Sequence, residues 1–374
     1  MNPVDDRAFT QPLIRTLQRH VAAIADGVTG LPGLRTSAER LDEARQVAVP
    51  WVYLSVLVVW AEDHGLIRPW LRADAPMRGR FLAEDSRGAA GYLALAAHDL
   101  ARQHPSTWAL LDPRYTRIRD GRLPEGPVRE LLDWWAADAP HLRYEVDAGP
   151  GSLSGWLPGD LLQHVSEGRR KSNALVQTPW WVADFILNQT LRPALDEFAA
   201  EPVIRLVDPC AGTGHFLVRA VDQLWDWYTT GTVPADGQGG QEVTGGVPVP
   251  PAVAARRILD GLHGCELDPL TAAVARLRVT VAVAAKLRPV GLRLDQIPHS
   301  MRPGIVVGDS LLLGKIPRAE YAELYPVLAE IVADEAPLFG AVRWPEDDAP
   351  AEPEPHAAVR QDLAGEQMSL LDIA

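Results

Sequence analysis

Residues Val203–Ala220 read VIRLVDPCAGTGHFLVRA. An apolar run, Val203–Val207, leads into Asp208-Pro209-Cys210-Ala211, then Gly212-Thr213-Gly214, then an apolar helical pattern from Phe216. Strand, tight glycine turn and helix form the first unit of a Rossmann-like α/β fold. Glycine lets the backbone approach a ligand more closely than any side chain would allow. A lone Gly-x-Gly carries little information; one preceded by Asp-Pro and set between a strand and a helix carries much more.

Two further segments downstream extend the pattern. Leu262–Val279, LHGCELDPLTAAVARLRV, reads as a short strand ending in Glu266, then Asp268-Pro269 and a helix. An acid at the end of the second strand accepts hydrogen bonds from ribose hydroxyls in nucleotide-binding folds, usually about 20 residues beyond the glycines. Here the Gly/Pro-rich excursion 231–251 lengthens that spacing. Gly304–Leu313, GIVVGDSLLL, supplies a third strand, Ile305–Val307, with Asp309 at its end. Ligands bind outside the carboxyl ends of such strands, so Asp208, Glu266 and Asp309 are expected to converge on one crevice. Plainer roles exist for each residue. Asp208 and Asp268 precede proline and can start turns; Asp309 can cap a helix. Cys210 and Cys265 read as buried small residues, and His215 as spacing and packing.

DPCAGTGHFL, GCELDP and GDSLL resemble motifs I, II and III of DNA amino-methyltransferases, especially the large adenine-specific enzymes of restriction–modification and phage-exclusion (BREX-type) systems. Lys171–Leu187, KSNALVQTPWWVADFIL, is similar to the family's segment before motif I; Thr178 and Pro179 match, and Gln177 replaces its usual aromatic residue. The resemblance covers about 160–313. It implies a class I methyltransferase core with S-adenosylmethionine as cofactor. Thr178, with Pro179, would bind the methionine carboxylate. Asp208, Pro209, Ala211, Gly212 and Gly214 would shape the methionine pocket, with Phe216 as an apolar wall. Glu266 would take the ribose hydroxyls, beside Asp268, and Asp309 the adenine amine. No metal is implied.

Residues 1–150 read as a mostly helical domain, with helices over Arg7–Ala25, Trp51–Gly65, Gly91–Gln103 and Pro127–Ala137. Trp51, Trp60, Trp70, Trp108, Trp134 and Trp135 are expected to pack its core. Asp147–Gly159 is a linker by composition. A helix is expected from near Asp160, and a Rossmann-like domain over 160–345. The chain has 374 residues and a net charge of −13. Residues 346–374 hold eight acids and one base, so most of the acidity lies in a tail expected to be disordered. The mildly acidic body gives DNA binding no direct support. Arg169-Arg170-Lys171 reads as a solvated helix end. With two cysteines there is no disulfide framework or zinc knuckle. The run 46–61 is too short to span a bilayer core of about 30 Å and reads as a buried helix. The N-terminus has no signal pattern, so a cytoplasmic location is expected.

One family element is missing. The resemblance implies a fourth strand ending in Asn/Asp/Ser-Pro-Pro-aromatic, the catalytic motif that holds the amine of a flipped base. None of the three asparagines, Asn2, Asn173 and Asn188, precedes Pro-Pro. Asp112-Pro113-Arg114-Tyr115 lacks the second proline and lies far upstream. After motif III a helix Arg318–Ala333 and a possible strand Phe339–Trp344 are expected, the latter running into Pro345-Glu346-Asp347. No catalytic residue is therefore assigned. In the family's strand order, 3-2-1-4-5-7-6, strand 1 or strand 4 is left as an apolar edge. Either a second polypeptide completes the sheet, or the chain is a truncated or degenerate relative.

The leading function is an adenine-N6 DNA methyltransferase or its cofactor-binding half, meeting DNA through a partner or the N-terminal domain. The alternatives are a non-catalytic cofactor-binding subunit of a defence complex, and a protein or small-molecule methyltransferase. In the tail, Gln367-Met368-Ser369-Leu370-Leu371 resembles the peptide that bacterial proteins insert into the sliding clamp, a five-residue match that also arises by chance.

Overall fold

The computed structural model describes residues 7–31, 33, 36–142, 156–165, 178–236, 239–288 and 291–348. Arg169–Lys171, Gln177, most of the linker, and the tail from 349 onward with Gln367–Leu371 lie outside the described residues.

The first part is helical: α1 (Arg7–Gly27), α2 (Ser37–Asp63), α3 (Arg78–Glu84), α4 (Gly88–Ala101), α5 (Pro105–Trp108), α6 (Glu125–Ala137) and α7 (Trp156–Val165). On α1, Leu13, Leu17, Val21 and Ile24 are buried, as their spacing predicts. Helix α2 begins fourteen residues before the expected Trp51. Thr36 and Glu39 form a reciprocal capping box that starts it, and Pro50 is carried inside. Every residue from Trp51 to Asp63 is buried, so α2 is the central helix of the region. Buried indoles find acceptors: Trp51 donates to the Ile118 carbonyl (3.1 Å), Trp70 to Asp99 (2.7 Å) and Trp135 to Ser55 (2.8 Å). Trp108 departs from the expectation. It is 47% exposed, edge-on to His299. Helix α7 starts at Trp156, within the expected linker.

The second part contains α8 (Trp180–Glu197), β1 (Leu206–Asp208), α9 (His215–Thr230), β2 (Thr232–Val233), β3 (Val243–Thr244), α10 (Pro251–Gly261), β4 (Leu262–Glu266), α11 (Pro269–Leu287), β5 (Gly304–Val307), α12 (Arg318–Leu324) and α13 (Pro326–Phe339). Strands β1, β4 and β5 form a parallel sheet in that order, the first three strands of a partial Rossmann-like core. Strand β1 is shorter than Val203–Val207 because Ile204 N–H bonds the Tyr228 hydroxyl (2.7 Å) outside the ladder. The 231–251 excursion carries the small β2–β3 hairpin.

Two expectations fail after β5. The helix Arg318–Ala333 is broken at Tyr325, which precedes Pro326 and sits at φ −135°, ψ 67°, outside the helical region. Phe339–Trp344 is not a strand. Phe339 ends α13, Gly340 turns the chain at φ +108°, and Trp344 packs on Tyr321 and Val332. Among the described residues there is no fourth strand beside β1.

The two sheet edges differ. Gly308 N–H reaches the Glu266 carbonyl (2.9 Å), so by alternation the Ile305 carbonyl points to the outer edge of β5. There it accepts from Arg276 Nε (2.8 Å), whose guanidinium pairs with Glu335 of α13 (2.8 and 2.7 Å) and lies 3.7 Å over the Phe339 ring. Tyr115 of the helical part bonds the same carboxylate. On the opposite edge, Val207 of β1 is 67% exposed.

The apolar residues of both parts form one continuous cluster, from Leu13 to Ile331. Polar ties cross it: Leu294 N–H to the Leu66 carbonyl (2.9 Å), Ser106 with Thr280 (2.8 Å), and His104 with the Pro298 carbonyl (3.2 Å). His104 Nδ1 accepts from Ser106 N–H, which leaves Nε2 as the donor.

Candidate functional site

The carboxyl ends of the three parallel strands are bound together by backbone and carboxylate bonds. Ala211 N–H donates to the Cys265 carbonyl (2.9 Å), tying the turn after β1 to β4. Gly212 and Gly214 take φ +54° and +83°, the left-handed region that favours glycine. A Cβ on Gly214 would also lie 3.2 Å from Ala275 Cβ on α11, so the turn packs closely against that helix. Gly214 starts α9, and the N-terminal end of a helix suits an anionic group.

Glu266 ends β4 and bridges the turn after β1 and the turn after β4. One oxygen accepts Gly212 N–H and the other Asp268 N–H, both at 2.9 Å. Each oxygen keeps a further lone pair for a ligand hydroxyl. Burial raises its pKa, and the charges of Asp268 and Asp208 add to the shift. One Asp208 oxygen accepts Cys210 N–H (3.1 Å); the other is buried without a partner. Burial raises the Asp208 pKa as well. Asp309, beyond β5, accepts Leu311 N–H and the Tyr325 hydroxyl, both at 2.9 Å, while its own N–H donates to the Tyr321 hydroxyl (3.0 Å). Among the described residues none of these three carboxylates pairs with lysine or arginine, and no cluster has metal-ligand character.

Asp208, Glu266 and Asp309 thus stand at the ends of adjacent strands, as the sequence predicts. The other predicted residues lie as follows. Ala211 is buried, Pro209 exposed, and half-buried Phe216 packs against the core. Asp268 caps α11, accepting Thr271 N–H (2.9 Å) and its hydroxyl (2.8 Å). Pro179 opens α8, with Thr178 half-buried before it. Among the described residues no hydrogen bond joins Thr178 to the three carboxylates. Cys210 is exposed rather than buried; Cys265 is buried and donates to the Gly308 carbonyl (3.3 Å). Asp112 is taken up by Arg114 and Tyr115 by Glu335, on the β5 side, away from β1. Sequence reasoning missed Leu267 and Leu311, which follow the acids by one and two residues and are 43% and 74% exposed. Their signal in the sequence is the leucine beside each acid in GCELDP and GDSLL.

The chain is 33% identical over 293 residues to the adenine-specific methyltransferase PglX of Streptomyces coelicolor. The two are homologous. The match takes in 73% of this chain and 23% of PglX, so the chain spans about a quarter of that relative's length. No protein-family model matches. Among solved structures, a nuclease-deletion mutant of the Type ISP restriction–modification enzyme LlaGI with a DNA substrate mimic aligns over 89% of this chain and 22% of its own, with TM-score 0.39 and 14% identity. The DrdV–DNA complex aligns over 87% and 26%, with TM-score 0.36 and 15% identity.

Proposed function

We propose that the chain is the S-adenosylmethionine-binding part of an adenine-N6 DNA methyltransferase, in a restriction–modification or phage-defence system of the cytoplasm. One observation carries this reading: three partly buried carboxylates without cationic partners end adjacent parallel strands around a glycine turn. Such an arrangement calls for a ligand rich in donors and positive charge. The sulfonium, ammonium, ribose hydroxyls and adenine amine of S-adenosylmethionine meet that demand, and the unpartnered Asp208 oxygen asks for one more donor. Glu266 would hold the ribose, Asp309 the adenine amine, and the α9 N-terminus with Thr178 the methionine carboxylate. Leu267 and Leu311 would offer the adenine ring an apolar surface. The bound cofactor would supply the electrophilic methyl group. Homology to PglX supports this family of chemistry.

The test is calorimetry with the purified chain. Binding of S-adenosylmethionine is expected, and Glu266→Ala should weaken it by about 1–3 kcal/mol, the scale of orphaning buried hydrogen-bond groups. No heat at millimolar cofactor would overturn the reading.

A second reading, in which further residues of the same protein or another polypeptide supply the Asn/Asp-Pro-Pro-aromatic element needed for catalysis, is favoured by the lack of that element in this sequence and by the open β1 edge among the described residues. DNA would then be met through those residues, that polypeptide or the helical part. The isolated chain is expected to transfer no tritiated methyl to DNA; clear transfer would refute the split. A polypeptide bearing Asn-Pro-Pro-aromatic should restore it.

A further inference from the structure

The glycine turn has a ligand face and a back, and a buried arginine holds the back. Arg278, 1% exposed on α11, donates from Nη1 to the Thr213 carbonyl (2.6 Å) and to the Thr213 hydroxyl (2.7 Å). Thr213 is the middle residue of Gly212-Thr213-Gly214 and is fully buried. Its carbonyl belongs to the peptide whose N–H is that of Gly214, so the guanidinium fixes the orientation of that peptide plane. A charge-assisted pair of bonds from one rigid guanidinium is well suited to this.

The contact is shared with the helical part. Gly159 of α7 presses on the same point: a Cβ there would stand 2.5 Å from Thr213 Oγ1, 2.6 Å from Arg278 Nη1 and 3.1 Å from His215 Cε1. A glycine inside a helix is less favourable than alanine, so the missing side chain has a steric use here. Helix α7 cannot simply slide away. The Tyr53 hydroxyl of α2 donates to the Pro158 carbonyl (2.7 Å), and Gln18 Nε2 of α1 donates to the His164 carbonyl (3.0 Å).

We infer that Arg278 and Gly159 are positioning residues for the glycine turn, so that the seating of α7 on the helical part sets how tightly the turn receives the methionine end of the cofactor. The inference rests on the cofactor reading above. Neither residue touches the ligand; both act through Thr213.

The experiment compares S-adenosylmethionine with 5′-methylthioadenosine, which keeps the nucleoside and lacks the amino-acid end. Arg278→Lys, Thr213→Val and Gly159→Ala are titrated by calorimetry, with amide hydrogen exchange over 212–215 measured on the ligand-free chain. The expected result for Arg278→Lys and Gly159→Ala is a loss of about tenfold or more for S-adenosylmethionine, on the scale of loosening one buried contact. Thr213→Val, which removes only the hydroxyl, should lose less. 5′-Methylthioadenosine affinity should hold within about twofold, and exchange over 212–215 should quicken. Glu266→Ala, by contrast, should weaken both ligands. Equal loss of both ligands in the Arg278 and Gly159 variants, or wild-type affinity for both, overturns the inference. If the wild-type chain binds neither ligand, the cofactor reading falls; unchanged exchange in Arg278→Lys then removes the positioning role as well, and faster exchange upholds it.

Discussion

At the scale of the residue, the chain places acids where burial works against their charge. Glu62, near the end of α2, accepts the backbone N–H groups of Trp70, Leu71 and Arg72 at 2.8, 2.7 and 3.1 Å. Burial outweighs those bonds and the nearby Arg72 charge and raises its pKa from 4.5 to about 7. The folded state therefore keeps this proton to higher pH than the unfolded chain. The Glu62 contribution to stability is fully present below about pH 4.5 and is lost as pH rises toward about 7, by on the order of 3 kcal/mol. Thermal unfolding from about pH 5 to about pH 7 should show that fall, and Glu62→Gln should flatten it; an unchanged slope in the variant would refute the assignment. The placement of Asp208, Glu266 and Asp309 at strand ends was legible in the sequence because each follows an apolar run. Glu62 was not, because its partners are backbone amides brought back by a turn.

At the scale of the element, legibility followed local chemistry. Strands β4 and β5 and helices α1, α4 and α6 came close to their expected spans, since hydrophobic period and flanking Gly or Pro act within a few residues. Helix α2 starts well before its apolar run because its first half is charged and Pro50 is carried inside; the Thr36–Glu39 box marks its start. The expected strand Phe339–Trp344 failed because a tertiary contact took its aromatics, with Trp344 going to Tyr321 and Phe339 to Arg276. That same arginine closes the β5 edge. Arg276→Ala leaves Glu335 and the Ile305 carbonyl without their shared partner and should cost about 3–5 kcal/mol in denaturant unfolding. An unmoved midpoint would show that the ion pair does not hold α13 in place.

At the scale of the whole molecule, the sequence divides near residue 150 by composition, whereas the buried apolar cluster runs on without a break. Composition reports where the backbone pattern changes; it does not report which faces meet. Helices α5 and α7 both pack on α11, and polar ties cross between the parts, among them Leu294–Leu66, Ser106–Thr280, His104–Pro298 and Tyr115–Glu335. We expect one calorimetric transition whose enthalpy matches its van't Hoff value. Two resolved transitions would instead mark 1–150 and the sheet part as separate folding units. The position of α2 in this core has a consequence for synthesis. Its 27 residues contain a stretch long and apolar enough, by length and composition, to cross a bilayer, and 83% of that stretch is enclosed by the protein itself. Helix α1 precedes it and packs along it, while α4, α6 and α7, which cover other parts of it, come later in the chain. A ribosome therefore releases this helix with α1 beside it but before the rest of its cover exists, and a shortened product ending ahead of Trp156 lacks the face that α7 covers, leaving an apolar patch fit for a detergent micelle or a chaperone.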